Sequence, residues 1–200
     1  MKPFVYLASQ SPRRRQLLEQ LGVAYELLLP DADEDAEALE AALRREAPLA
    51  YVQRVTQLKL DAALARLKKR GLPAAPVLCS DTTVALGREI LGKPQDDADA
   101  VRILQALSGN THRVLTAVAL GTEQQREQAV SISKVTFAAM SDAQIQAYVD
   151  SGEPMGKAGA YGVQGRVAAH IAHISGSYSG IMGLPMFETN TLLQGVGLGR

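Results

Sequence analysis

The chain opens with a short apolar run, FVYLA (Phe4 to Ala8), whose residues favour a strand and which SQS interrupts before the spacing becomes helical. Ser11 has the character of an N-cap and Pro12 of a first helical residue. Leu17, Leu18 and Leu21 form the apolar stripe, and Gly22 ends it. VAYELLL resumes an extended pattern, and the acidic stretch DADEDAEALEAALRRE is expected to begin a solvent-facing helix. From Pro48 to Arg70, Val52, Val55, Leu58, Ala62 and Ala65 recur at helical spacing until Gly71 stops the run.

PVLCSDTTVALGREILGKP predicts a buried strand ending near Asp81, a second strand, a turn at Gly87 and Arg88, and a return through Ile90 and Leu91. Asp96 or Asp97 can cap a helix that runs to Leu107 and closes at Ser108 and Gly109. VLTAVAL and AVSISKVTF flank a polar, Gln-rich turn and predict an antiparallel hairpin. Ser141 and Gln144 have capping-box spacing for a helix through Val149. SGEPMGKAGAYGVQG is too rich in glycine for a regular element, VAAHIAHI is strand-like, and PMFETNTLLQ is helical. The chain is thus mixed α and β, without an internal repeat or a low-complexity linker.

At 200 residues such a chain can bury one sizeable core, as a single domain or as two small lobes sharing a cleft. Its 21 Lys and Arg balance 21 Asp and Glu, which argues against a nucleic-acid coat or an acidic membrane as partner, so any anion site must be local. The absence of tryptophan and the scarcity of aromatics argue against a surface that stacks single-stranded bases. One cysteine, Cys79, excludes an intrachain disulfide. No stretch approaches the roughly 20 apolar residues needed to span a bilayer, the start does not read as a signal peptide, and cytoplasmic residence is the expectation.

Against that neutral background, three arginines follow directly on Ser-Gln-Ser-Pro. Ser9, Ser11, the helix N-terminus at Pro12 and the guanidiniums of Arg13 and Arg14 would offer donors and positive charge to one anion, most naturally a phosphate chain. The bland reading is surface decoration, although positive charge in a first turn opposes the helix dipole. Asp81 places a charge at the end of a strongly apolar strand, where α/β proteins keep their active residues, and is a candidate metal ligand or base. Its alternative is a turn cap. Lys93, held between Gly92 and Pro94, can aim a point charge at a polyphosphate.

Within GKAGAYGVQG, glycines recur every third residue. The backbone there can approach a ligand closely, or the segment is only a wandering loop, and Gln164 has an amide suited to a base edge. Glu34 lies among carboxylates of which one or two could join Asp81 around a divalent ion. Lys59 sits at the edge of the stripe through Leu58 and Ala62, where it reaches a cleft or snorkels. His112, His170 and His173 lack a metal-site pattern, and Cys79, inside a buried strand, reads as structural.

Taken in order, YLASQSPRRRQLLEQLG, SDTTV, ILGKP, LSGNTHRVLTAVAL, GKAGAYGVQG and ISGSYSGIMGLPMFET span nearly the whole chain. In them the sequence closely resembles the Maf-like nucleoside triphosphate pyrophosphatases, and within these the branch acting on dTTP and UTP. The resemblance implies a single domain over residues 1–200, with a mixed twisted sheet flanked by helices and opened into two lobes around an elongated cleft, as in Maf and ITPase-like folds. It implies cleavage of a nucleoside triphosphate to monophosphate and pyrophosphate with Mg²⁺ or Mn²⁺, and a homodimer.

Residue by residue, the resemblance assigns phosphate binding to Ser9, Ser11, Arg13, Arg14 and Lys59, and catalysis to Asp81 and Lys93. It assigns metal binding to Asp81 with Glu34, and substrate choice to Arg14, Thr82 and Gln164. The sister branch, which resembles enzymes for 7-methyl-GTP, is not supported at these selector positions. Three features depart from the family pattern: Ser80 replaces the usual alanine, Gln57-Leu58-Lys59-Leu60 replaces Arg-Glu-Lys-Ala, and the segment from Glu34 to Lys59 is longer than usual. The rival reading is a non-catalytic nucleotide-binding regulator of cell division or septum formation.

Overall fold

The computed structural model describes residues 3–199 apart from 33 and 36. Seven strands form one twisted sheet in the order β2-β1-β3-β5-β6-β7, with β4 also paired to β3. They are β1 (Val5–Leu7), β2 (Tyr25–Leu27), β3 (Val77–Leu86), β4 (Glu89–Leu91), β5 (Thr111–Gly121), β6 (Arg126–Phe137) and β7 (Ile171–Ser175). β1 runs parallel to β2 and β3, and the other pairings are antiparallel, so the sheet is mixed as expected.

Alternation along the strands sends side chains to two covered faces. On one face Leu7, Leu78, Val118 and Leu120 meet Leu17 and Leu18 of α1 (Pro12–Gln20) and Leu192 and Leu193 of α6 (Met186–Gly195). On the other, Cys79, Ala85, Leu115, Ala117 and Ala119 meet α2 (Pro48–Lys69) through Val52, Val55, Leu60 and Ala63. α3 (Asp97–Leu107) and α4 (Asp142–Val149) pack on Val84, Val114, Val135 and Phe137, and a short α5 (Tyr178–Met182) precedes α6. No helix among the described residues is long and apolar enough to cross a membrane.

The caps are those the sequence predicts. Ser11 accepts from Arg14 N with Pro12 as the first helical residue, Asp96 accepts from Asp99 N, and Ser141 with Gln144 forms the capping box. The hairpin of β5 and β6 is also as expected, and Cys79 is a buried free thiol that burial pushes up to about 12.

Four expectations are corrected. The acidic stretch holds only one 3-10 turn, Ala38–Glu40, among its described residues; Asp33 and Ala36 lie outside them. Its side chains bind α2 instead of building a helix of their own. Asp31 pairs with Arg70, Glu34 with Arg66, Glu40 with Lys59 and Glu46 with Arg54, so the segment is a strap along α2. The buried stripe of α2 is rotated from the expected one: Leu58 and Ala65 face outward while Leu60, Ala63, Leu64 and Leu67 are buried. VAAHIAHI divides into a 3-10 helix, Arg166–His170, and β7, so His170 and His173 do not share a strand.

The fourth correction positions the site. β3 does not end near Asp81; it continues unbroken to Leu86. β5 pairs with one of its edges from Val77 to Ala85. On the opposite edge β1 pairs only as far as Leu78 and β4 only from Val84, which leaves residues 79–83 unpaired on that side. Asp81 stands at the centre of this gap.

Candidate active site

The gap opens into a cleft of about 1120 Å³. Its walls are the β1–α1 loop, the acidic strap, one side of α2, the turn after β4, the glycine-rich segment and α5. Ser9, Ser11, Arg13, Arg14, Glu34, Lys59, Asp81, Thr82, Lys93 and Gln164, the residues singled out in the sequence, all line it. Arg15 does not.

Asp81 is 6% exposed and faces α2, as alternation from Cys79 requires. Lys59, brought onto this face by the rotation of α2, places Nζ 2.6 Å from Asp81 Oδ1 and 2.7 Å from Glu40 Oε1. Lys93 reaches the other oxygen of Glu40 at 2.9 Å and lies 3.6 Å from Glu37. Burial alone would push the Glu40 carboxyl upward, but Lys59 and Lys93 together hold it below the usual carboxylate range. Two residues beyond Asp81 on the same face, the buried Thr83 Oγ1 has no hydrogen-bond partner among the described residues. Glu34 stands apart, both oxygens engaged by Arg66, which lowers its pKa to about 2.

The opposite face of β3 carries Thr82. Arg14 donates from Nε to Gly183 O at 2.8 Å, from Nη1 to Ser9 Oγ at 3.3 Å and from Nη2 to Thr82 Oγ1 at 3.4 Å. Thr82 Oγ1 lies 3.0 Å from Thr116 Oγ1, and Ser80 Oγ lies 2.9 Å from Gly183 O. Arg14 therefore locks α1, β3 and the turn after α5 together, with all three of these donors directed at protein acceptors. Ser11 N donates to Ser9 Oγ at 3.2 Å, so the two serines shape the loop that presents the helix N-terminus.

The glycine-rich segment is fastened to this frame. Gly159 N donates to Gly92 O at 3.0 Å, tying the loop to the Lys93 turn, and the loop passes so close to β3 that a Cβ on Gly159 would lie 2.8 Å from Val84 Cγ1. Tyr161 Oη lies 2.7 Å from Nε2 of the buried His112, and both rings pack edge-to-face with Phe137. Burial holds the His112 imidazole down at about 4, so it is neutral at pH 7.

Glu40, Thr83 and His112 are members or supports of the site that carry no signal of that role in the sequence. Glu40 had no distinguishing signal among its acidic neighbours. The contact of His112 with Tyr161 spans 49 positions and leaves no local pattern.

A sheet gap holding a carboxylate that a lysine grips, beside a helix N-terminus and further cations, defines an α/β protein built to take a phosphorylated ligand. The model of the Maf-like protein family matches residues 4–196. The chain belongs to the Maf-like family. It is 75% identical over 197 residues to a dTTP/UTP pyrophosphatase of Albidiferax ferrireducens, covering 98% of each chain. It is 69% identical to one from a Polaromonas species, covering 98% of this chain and 96% of that one, and 64% identical to one from Cupriavidus pinatubonensis, covering 97% of each.

Proposed function

We propose that this protein hydrolyses dTTP and UTP to the nucleoside monophosphate and pyrophosphate. The observation that carries the reading is Asp81 at the centre of the sheet gap, joined through Lys59 to Glu40 and through Glu40 to Lys93. High identity along nearly the whole chain to proteins named for this activity supports the choice of substrate. The sheet draws strands from Val5 to Ser175, which supports reading residues 1–200 as one domain.

In this reading water attacks the α-phosphorus, a P–O bond forms to that water, and the bond to the bridging α–β oxygen breaks, releasing pyrophosphate. Asp81 orients the water and accepts its proton, while Lys59, Lys93 and Arg13 stabilise charge on the phosphate oxygens. Ser9 and Ser11 hold the loop at the helix N-terminus. Arg14 and Thr82 set the wall next to which Gln164 reads a pyrimidine edge.

No group of three or more His, Cys, Asp or Glu side chains placed to hold a metal ion is found among the described residues. Asp81 and Glu40, which meet at Lys59, and the Thr83 hydroxyl, which lacks a partner among the described residues, would be the oxygen donors to hold Mg²⁺ or Mn²⁺. Glu34 would have to release Arg66 to join them. A divalent ion held there would supply charge neutralisation on the phosphate chain.

The test is a screen of common and modified triphosphates with Mg²⁺ or Mn²⁺, detecting phosphate and pyrophosphate separately. Wild type should release pyrophosphate from dTTP and UTP, and D81N should lower kcat by roughly 10²- to 10⁴-fold with its melting temperature nearly unchanged. Absence of pyrophosphate release by wild type would overturn the reading. The non-catalytic regulator has no support among the relatives, which are named for hydrolysis.

A further inference from the structure

Among the described residues six cationic side chains line the cleft: Arg13, Arg14, Lys59, Arg66, Lys93 and Lys157. Four are already answered. Arg66 holds Glu34, Lys59 bridges Asp81 and Glu40, Lys93 holds Glu40, and Arg14 donates to Gly183, Ser9 and Thr82. Among the described residues Arg13 and Lys157 have no carboxylate in ion-pair contact.

The fold holds Lys157 in place. Its loop is tied at Gly159 to Gly92, beside Lys93, and its stem runs past Gly162, where an added Cβ would lie 3.4 Å both from Lys157 Cδ and from the Gln164 amide. Nζ donates to the backbone oxygen of Glu153. The carboxylate of Glu153 is itself committed to Tyr148 Oη and the backbone N–H of Arg166. Burial first, and then the charge of Arg13, holds the Lys157 ammonium below the usual lysine range, with Glu153 acting in the opposite sense. Two cations that disfavour each other on the wall of a cleft are relieved by an anion placed between them.

We propose that Lys157, with Arg13, forms a second phosphate-binding subsite in the cleft, holding oxygens of the triphosphate chain that Lys59 and Lys93 do not reach. The acidic strap sets a carboxylate against Lys59 and Lys93, while Arg13 and Lys157 have none in ion-pair contact among the described residues, so the first pair suits a metal-bound phosphate and the second a bare one. This inference rests on the hydrolytic reading for its substrate, and its test does not need turnover.

Calorimetric titration of wild type, K157M and K157R with inorganic pyrophosphate and Mg²⁺, at low and high NaCl, measures the subsite directly, and melting curves confirm the fold. K157M should bind pyrophosphate about tenfold more weakly, the loss of one charge-assisted hydrogen bond, and K157R should recover most of it. The salt dependence of binding should become shallower in K157M, because one screened charge has gone. If Lys157 only braces the loop through Glu153, K157M will blur the pyrimidine-to-purine ratio of kcat/KM and leave pyrophosphate affinity and its salt slope unchanged, which overturns the proposal. Wild type that binds pyrophosphate but releases none from dTTP would overturn the hydrolytic reading and leave the subsite standing.

Discussion

Glu40 sits against Lys59 and Lys93 as a phosphate would, an anion of the protein placed among donors meant for the substrate. An incoming phosphate must compete with it unless a divalent ion takes the carboxylate. Without metal, E40Q should therefore bind pyrophosphate about tenfold more tightly than wild type, since the neutral amide is a far weaker competitor for two ammonium groups. Calorimetry in EDTA decides the matter, and equal or weaker binding by E40Q would show that Glu40 does not compete. Asp81 and Lys93 were legible in the sequence because each breaks a pattern, one a run of apolar residues and the other a Gly–Pro turn. Glu40 was not, because it is one carboxylate among many and its partners lie 19 positions away at Lys59 and beyond that at Lys93.

Among the elements, the glycine-rich loop is irregular as its composition implies, apart from a 3-10 turn at Ala158–Ala160, but the composition does not show its rigidity. Gly156 and Gly159 both have φ of 70°, and they differ in surroundings: a Cβ on Gly156 meets nothing within 4 Å, while one on Gly159 strikes Val84 at 2.8 Å. G156A should thus cost only the left-handed strain, about 1–2 kcal/mol, and G159A a further 1–3 kcal/mol from the clash. Denaturant midpoints compare them directly, and equal losses would mean that the loop yields freely at Val84. G159A should also blur base discrimination, because the same loop carries Gln164. The strap's composition suits a helix, but tertiary ion pairs to α2 decide its path instead. The break expected in β3 lies instead in the neighbouring strands: a single sequence shows where a strand's residues change character, not where its partners stop.

The same loop bears on the acid stability of the whole fold through Tyr161 and His112. The His112 pKa falls from 6.5 to about 4 on folding, so between those values the unfolded chain takes up a proton that the native state refuses. Stability present above pH 6.5 is therefore lost as the pH falls, and the loss is complete below about 4, on the order of 3 kcal/mol. Melting curves from pH 7 to 4 should fall more steeply for wild type than for H112Q, and parallel curves would assign the acid sensitivity to other groups.

Across the molecule charge is balanced, and the cleft repeats that balance locally. Among the described residues its six cations face six acids: Asp31, Glu34, Asp35, Glu37, Glu40 and Asp81. A lining so compensated is no electropositive funnel, and a triphosphate carrying several negative charges gains little net attraction from it. A divalent ion changes that sum, because it converts the carboxylates near Lys59 from repulsion into ligands. Affinity for a non-hydrolysable α,β-imido analogue of dUTP should accordingly fall at least about tenfold when EDTA replaces Mg²⁺ or Mn²⁺, as expected for a cation bridging carboxylate and phosphate. D81N should narrow that difference from both sides, since it removes a repelling charge in EDTA and a ligand when metal is present. Calorimetry on the two proteins in the two buffers reads all four affinities. Equal affinity with and without metal in wild type would mean that the six cations suffice unaided, and that the acids facing them serve only the fold.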